Sequence, residues 1–310
     1  MHRTSSFHEG ELQAQRKANE SDRAARNGAN VADHIIRPAL PFVRQQKMAY
    51  AGSVDPDGRV WASVLMGEAG FLQPSEDATT LAIDLDKVAV HASDPLWNNL
   101  RHDRRIGLLL LELLTRKRLK INGEVTFDGR RLVVEVTESV PVCPRYIQRR
   151  TIDLPAPGGQ AIPTATSNGR VPDESQIALI RDADTFFLAS AHETRGADCS
   201  HRGGPRGFVE VTPAGKLRFP DYHGNSMFNS AGNFLIDARA GLVFPDYEGH
   251  RMLQLTGRMD MLWDQPDPEG VTGGTGRFWE FETEAWIETQ LPEALHTEYV
   301  DASPFLPKGR

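Results

Sequence analysis

The sequence predicts a mainly β protein with short helices, built as two tandem copies of one small barrel module. Three observations predict this. The chain has 310 residues, which is long for one small barrel and suits two domains of ordinary size. Its apolar residues alternate along short segments that are punctuated by Gly, Pro, Asp and Asn turns. The order of those segments recurs, with matching residues, in the second half of the chain.

The elements follow in order. Residues 1–40 form a polar, helix-prone arm with little apolar face of its own, expected to lie across the rest of the body. The first barrel is expected over 41–150. Met48 to Val54 and Arg59 to Met66 read as strands around an Asp55-Pro56-Asp57-Gly58 turn. Leu81 to Leu85 is a short strand, and Asp94 caps a short helix that opens on Pro95. Arg105 to Glu112, Arg118 to Phe127 and Leu132 to Val140 complete the set.

Residues 151–172 carry prolines at 155, 157, 163 and 172 and glycines at 158, 159 and 169, and read as a linker. The second barrel is expected over 173–310. It opens with a helix at Glu174 to Arg181 and strands at Thr185 to Ala191 and Ala197 to Arg202. Phe208 to Val211 and Lys216 to Phe219 flank a turn, and a helix runs from Ser226 to Ile236. Ala240 to Phe244, His250 to Trp263 and Phe278 to Gln290 are the last strands. In the last of these, Trp279, Phe281, Ala285 and Ile287 are expected on one face.

The repeat rests on six ordered matches. Ala51-Gly52-Ser53 meets Ala189-Ser190-Ala191, Ser63 meets Ser200, and Gly70-Phe71 meets Gly207-Phe208. Asn99-Leu100 meets Asn233-Phe234, Gly107-Leu108 meets Gly241-Leu242, and Leu119 to Gly123 meets Leu253 to Gly257. Two fused copies imply a covalent pseudo-dimer, in which one copy is free to keep a site and the other only a wall.

Composition excludes several function classes. The net charge is −7, from 35 basic and 42 acidic residues, which speaks against nucleic-acid binding. No apolar run is long enough for a membrane-spanning helix and the N-terminus has no signal core, so a cytoplasmic protein is expected. Cys143 and Cys199 show no CxxC spacing and the ten histidines are scattered, so no metal site is signalled and both thiols are expected free. Two basic tracts, Arg145 with Arg149 and Arg150, and Arg116 to Lys120, read either as small anion sites or as solvated loops.

No Ser-His-Asp order, HExxH, Walker loop or GxGxxG is present. Two segments of the second half carry chemistry instead. In Ser200-His201-Arg202-Gly203-Gly204 a strand ends in glycines, which let backbone approach a flat ligand, with donors beside them. In Gly224-Asn225-Ser226-Met227-Phe228-Asn229-Ser230 a polar stretch opens a helix, whose first N–H groups favour a phosphate. Alone, the first also reads as a bulge and the second as a turn and cap. Together they suit a planar ring with a phosphate tail.

These motifs, with Gly-Phe-Val after Arg206, Pro220-Asp221-Tyr222, Arg239-Ala-Gly-Leu-Val-Phe and Leu253-Gln-Leu-Thr-Gly-Arg258, resemble the pyridoxamine 5′-phosphate oxidase-related, FMN-binding split-barrel family. The opening Phe7-His8-x-Gly10-Glu11 with Gln15 resembles the start of its long, two-barrel members. The resemblance implies two tandem split β-barrels with FMN in the cleft between them. Its positions here are Ser200, His201, Arg202, Gly203 and Gly204 on the strand, and Asn225, Ser226, Met227, Asn229 and Ser230 at the helix start. Trp61, Cys143, Tyr146 and Arg149 are placed on the opposing wall.

The Arg-Lys pair and the C-terminal Arg-x-His of true pyridoxamine phosphate oxidases are missing, which speaks against vitamin B6 oxidation. The first half has Met66-Gly67-Glu68 and Ser93-Asp94-Pro95 in place of the glycine pieces, so one site is expected. An FMN-dependent oxidoreductase acting with NAD(P)H or a small molecule is the first functional expectation, with His201 as the proton donor near the ring. A non-catalytic flavin carrier or redox partner is the second. A heme-binding variant, with His192, His201 or His223 as axial ligand, is the third. The chain is expected as a monomeric pseudo-dimer or a homodimer, without nucleic-acid or membrane partners.

Overall fold

The computed structural model describes residues 6–89, 93–154 and 167–307. The arm holds α1 (Glu9–Lys17), α2 (Ser21–Gly28), a 3-10 turn at Arg37–Ala39 and α3 (Leu40–Gln45). The first half then runs β1 (Met48–Val54), β2 (Val60–Gly67), β3 (Leu72–Pro74), β4 (Thr80–Asp84), β5 (Val88–Ala89), α4 (Pro95–His102), β6 (Arg105–Glu112), β7 (Lys117–Asp128) and β8 (Arg131–Pro141). After β9 (Arg149–Asp153) and β10 (Ser167–Gly169), the second half runs α5 (Glu174–Asp182), β11 (Thr185–His192), β12 (Gly196–Gly203), β13 (Glu210–Val211), β14 (Leu217–Pro220), α6 (Asn229–Ile236), β15 (Arg239–Asp246), β16 (Arg251–Leu262), β17 (Phe278–Gln290) and β18 (His296–Asp301).

The two large sheets repeat one strand order. The first is β3-β4-β8-β7-β6-β1-β2-β5, and the second, read the same way, is β13-β14-β17-β16-β15-β11-β12. All pairings are antiparallel, and along the chain α4 directly precedes β6 as α6 directly precedes its counterpart β15. The mainly β, two-module architecture therefore holds. Each half has its own core, around Phe71, Leu108 and Ile121 in the first and Phe186, Phe244 and Trp279 in the second.

A third core lies between the halves, around Tyr50, Val64, Leu109, Phe187, Cys199 and Val243. Its symmetry is visible residue by residue. Tyr50 and Phe187 stack with ring centroids 3.3 Å apart, and their sequence positions are equivalent. Gly107 lies against Asp198 and Gly241 against Trp61, and a Cβ on either glycine would come within 2.5 to 2.7 Å of the other half's backbone. Arg105 Nη1 donates to Glu193 O at 2.7 Å, and Arg239 Nη1 returns the contact to Gly58 O at 2.6 Å.

The structure moves one repeat match by a residue. Asn99 Nδ2 donates to Ser53 Oγ at 2.9 Å, and Asn233 Nδ2 donates to Ser190 Oγ at 2.8 Å. Ser53 is therefore the counterpart of Ser190, and Gly52 that of Ala189, not of Ser190. In a strand a one-residue slip exchanges the two faces, so packing fixes the register that similarity of small residues leaves loose.

Other expectations shift for local reasons. Ala285 and Ile287 do not share the buried face of Trp279 and Phe281: a bulge opposite Thr256/Gly257 reverses the phase, and Trp286 takes that face instead. The first half has the same bulge at Asn122/Gly123. The strand expected from Phe208 is only Glu210–Val211, because Phe208 closes a turn onto Pro205 O. Thr151 to Asp153, expected in the linker, belong to β9, which pairs with β18 from the end of the chain. Ser167 to Gly169 pair with β17. Residues 155–166 of the expected linker lie outside the described residues.

Candidate ligand-binding cleft

A cleft of about 960 Å³, counting its open mouth, lies between the halves. Its walls come from β7 of the first half, β12, the loop after β14 and α6 of the second half, and the segment after β8. Strand alternation explains the β7 contribution: Leu119 and Ile121 enter the first core, so Arg118, Lys120 and Asn122 face the second half.

The floor is cationic. Lys120 Nζ is 2.7 Å from Asp198 Oδ1 and 3.4 Å from Asn229 Oδ1, and Asn122 Nδ2 also donates to Asp198. Arg277 is held by Asp221 at 2.8 Å, with Glu20 of the arm 3.6 Å away, and its guanidinium lies over the Phe228 ring. Among the described residues, Arg118 and Arg202 have no carboxylate within ion-pair distance. Arg202 Nη1 donates to His201 O at 3.0 Å, and its guanidinium lies 5.9 Å from the Trp279 ring centre.

Three buried side-chain nitrogens in this cleft find no hydrogen-bond partner among the described residues: Arg118 Nε, His201 Nε2 and Arg202 Nε. Burial pulls Arg118 down to about 10, and repulsion from Arg202 adds to it. Burial also lowers Arg202, against the partial support of Asp221 and Asp198. His201 is held well below the ordinary imidazole value, first by burial and then by both arginines. It is neutral at physiological pH, with one N–H to give and one lone pair to offer. A guanidinium stays charged in proteins, so the two depressed arginines measure charge that the chain leaves uncompensated.

The sequence-expected residues divide. Ser200, His201, Arg202, Gly203, Asn225, Ser226, Asn229, Ser230 and Tyr146 line the cleft. Ser200 and Ser230 face each other at 3.1 Å across it. Gly204 does not line it; its N–H bonds to Asp184 O and its Cα backs onto Phe208. Met227 is buried with Phe7, Ala24 and Val140 under the arm. Trp61 lies at the interface of the halves, donating to Asp55, because β2 is the counterpart of β12 and not its opposite wall. Cys143 is outside the lining, and Arg149 is paired with Asp301, as is Arg116. His192 stacks on His8, 4.1 Å between ring centres, and His223 sits exposed at the mouth near Glu20.

The helix start also differs from expectation. Helix α6 begins at Asn229, with Ser226 and Phe228 in the left-handed region, so Gly224 to Ser226 form a loop before the first turn. Asn225 Oδ1 accepts from Met227 N, and Ser226 Oγ donates to Glu20. The N-terminal arm thus braces this loop, with Gln15 Nε2 on Met227 O and Asn27 Nδ2 on Asn225 O at 2.5 Å.

Sequence reasoning did not assign Arg118, Lys120, Arg277, Asp221 or Tyr222 to the cleft. Arg118 and Lys120 stood in a flagged basic tract. Their signal was Arg118-x-Lys120-x-Asn122, polar residues at period two inside a strand whose other face is apolar.

Among the described residues, the pseudo-equivalent cleft in the first half is filled by side chains. Arg118 corresponds to Met252 and Lys120 to Gln254 through the β7–β16 match, and His201 and Arg202 correspond to Val64 and Leu65 through Ser63 and Ser200. Val64 and Met252 belong to the core between the halves, and Leu65 to the first core. Gln254 is fully buried and its Nε2 donates to Ala62 O at 2.8 Å and Ser63 Oγ at 3.1 Å. Asp94 receives Ser63 Oγ at 2.7 Å and Leu96 N at 2.9 Å as the cap of α4, and burial raises its carboxyl to about 6.

No family model matches the sequence, and no curated protein is significantly similar to it. Solved structures do match single halves of the chain. A protein of the pyridoxinephosphate oxidase family from Clostridium acetobutylicum is 12% identical, covering 41% of this chain and 92% of its own, with a TM-score of 0.28. An FAD-binding protein from Mesorhizobium loti is 11% identical over 41% of this chain and 99% of its own, TM-score 0.29. HutZ, the heme storage protein from Vibrio cholerae, is 11% identical over 38% of this chain and 96% of its own, TM-score 0.28.

Proposed function

We propose that the cleft binds FMN and that the chain is a flavin-dependent oxidoreductase acting with NAD(P)H or a small-molecule partner. The observation that carries the reading is the set of buried, unpartnered nitrogens on Arg118, His201 and Arg202. Half-buried guanidinium groups with no carboxylate in contact are destabilising, and an anionic ligand group offsets that cost. A phosphate dianion suits Arg118 and Arg202, with Lys120, Ser200 and Ser230 beside them. The aromatic surfaces of Tyr146, Tyr222, Phe228 and Trp279 suit a flat ring.

Bound flavin would supply the redox chemistry. The chain's own residues would orient it, exclude water and present the His201 N–H. Cys199 is no nucleophile, since burial keeps its thiol protonated. The test is the visible spectrum of the purified protein, followed by NAD(P)H oxidation with added FMN. Absence of flavin bands and of any FMN binding sinks the cofactor reading. Tight binding without turnover above free flavin leaves a flavin carrier.

The unpartnered Nε2 of His201, in the tautomer that leaves its lone pair free, favours one other reading, an axial ligand to heme. A Soret band after hemin addition, lost in His201→Ala, would establish it over FMN.

A further inference from the structure

We propose that Glu11, on the N-terminal arm, is a positioning residue that links anion binding in the cleft to proton uptake. The proposal rests on the reading of the cleft as an anion site and adds a control to it. Glu11 is 4% exposed and sits where α1 crosses α6. One carboxylate oxygen accepts from Asn229 Nδ2 and the other accepts from His8 N at 2.8 Å. Asn229 is the first residue of α6 and lines the cleft, and its Oδ1 faces Lys120 Nζ at 3.4 Å. Lys120 in turn pairs with Asp198 at 2.7 Å. A single amide therefore separates the Glu11 carboxylate from the cationic floor.

The consequence is electrostatic. A carboxylate beside the first turn of α6 repels an anion held by the same turn and by Lys120. Binding a dianion is therefore easier when Glu11 carries a proton. The group is suited to this, because burial and then Glu138 raise it, against His8 N–H, Asn229 and Lys120, to about 7. The other charged or titratable groups facing it are His8, 3.5 Å away, with Lys120 and Glu138 across from it and Asp198 beyond Lys120. His8 is held down to about 4 by burial and stays neutral above pH 6. By linkage, affinity falls as pH rises through and above about 7.

The experiment is calorimetric titration with sulfate, which stays a dianion throughout, from pH 6 to pH 8.5. His223→Asn serves as the background, so that the exposed imidazole at the mouth contributes nothing. The expected result is a Kd that rises by about fivefold or more over that range, with proton uptake seen as a buffer-dependent heat, and both lost in Glu11→Gln. Sulfate binding of constant affinity and no proton uptake overturns the role of Glu11 and leaves the anion cleft standing. Absence of sulfate binding at every pH overturns the cleft reading and this proposal with it. If Glu11→Gln fails to fold, the buffer-dependent heat of the unaltered Glu11 protein decides alone.

Discussion

At the scale of single residues, the cleft is defined by what its side chains lack. Arg118 occupies a position whose counterpart in the first half is Met252, so the chain itself supplies the substitution that tests it. Arg118→Met is expected to weaken FMN or phosphate binding about 10- to 100-fold, the loss of one charge-assisted pair. Folding stability is expected to hold or rise, because a half-buried guanidinium is removed whose Nε has no hydrogen-bond partner among the described residues. A titration alongside a urea melt checks both, and unchanged affinity would place the anion elsewhere. His8 sets a second residue-level effect. Its Nδ1 accepts from Gly10 N at 3.1 Å as the helix cap, so its Nε2 carries the proton toward Asn233 Oδ1 at 3.0 Å. Burial and then His192 hold it down to about 4, against the Asn233 hydrogen bond, which favours the charged ring. An unfolded histidine gains a proton near pH 6.5, so the folded state loses stability as pH falls from there toward 4, by roughly 3 kcal/mol in all. His8→Asn keeps a capping acceptor without the titration. Its urea midpoint is expected to fall less between pH 7 and pH 4 than that of the unaltered chain.

At the scale of elements, the arm and α6 act together. Glycines let α1 and α6 touch: a Cβ on Gly10 would lie 2.2 Å from Gly232 O, and one on Gly232 2.4 Å from Glu11 N. Gly232→Ala is expected to push the arm off α6, cost about 1–3 kcal/mol and lower the melting temperature by several degrees. Ligand affinity should fall with it, since Asn229 and Ser230 ride on the first turn of α6. A variant with unchanged melting temperature and affinity would show that the arm is not a brace. Much at this scale was legible in the sequence. Phe278–Gln290 follows from period two, and Arg105–Glu112 from an apolar run that reads as a buried strand. The capping Asp94 follows from Asp-Pro chemistry. What escaped was set by tertiary contact. The bulge on β17 is placed by the partner strand, and the pairing of β9 with β18 joins segments over a hundred residues apart. Helix α6 starts three residues late because Ser226 and Phe228 take left-handed turns fixed by Glu20 and the cleft wall. For the site, the glycine-ended strand was readable, whereas the first-half wall was not: Trp61 is symmetric to the strand it was expected to oppose.

At the scale of the whole molecule, duplication gives a dimer-like cleft twice, and divergence keeps one. The interface is isologous, with Tyr50 on Phe187 near the axis and the Arg105 and Arg239 contacts reciprocated. Pseudo-symmetry thus builds each cleft from β7 or β16 of one half and β12 or β2 of the other. In the second-half cleft this places Arg118 and Lys120 opposite His201 and Arg202. In the other, Met252 and Gln254 meet Val64 and Leu65, and Asp94 caps the helix where a phosphate would meet repulsion. Gln254 bonds directly to the strand it faces, so opening that cleft would expose its buried amide and break the Ala62 and Ser63 contacts. Binding is therefore expected at one ligand per chain, with a single enthalpic event in a calorimetric titration against FMN. Arg118→Met should reduce that event without revealing a second. Two equivalents of equal affinity would mean that the Gln254 seal opens at little cost, and the asymmetry between the halves would then have to lie in chemistry after binding.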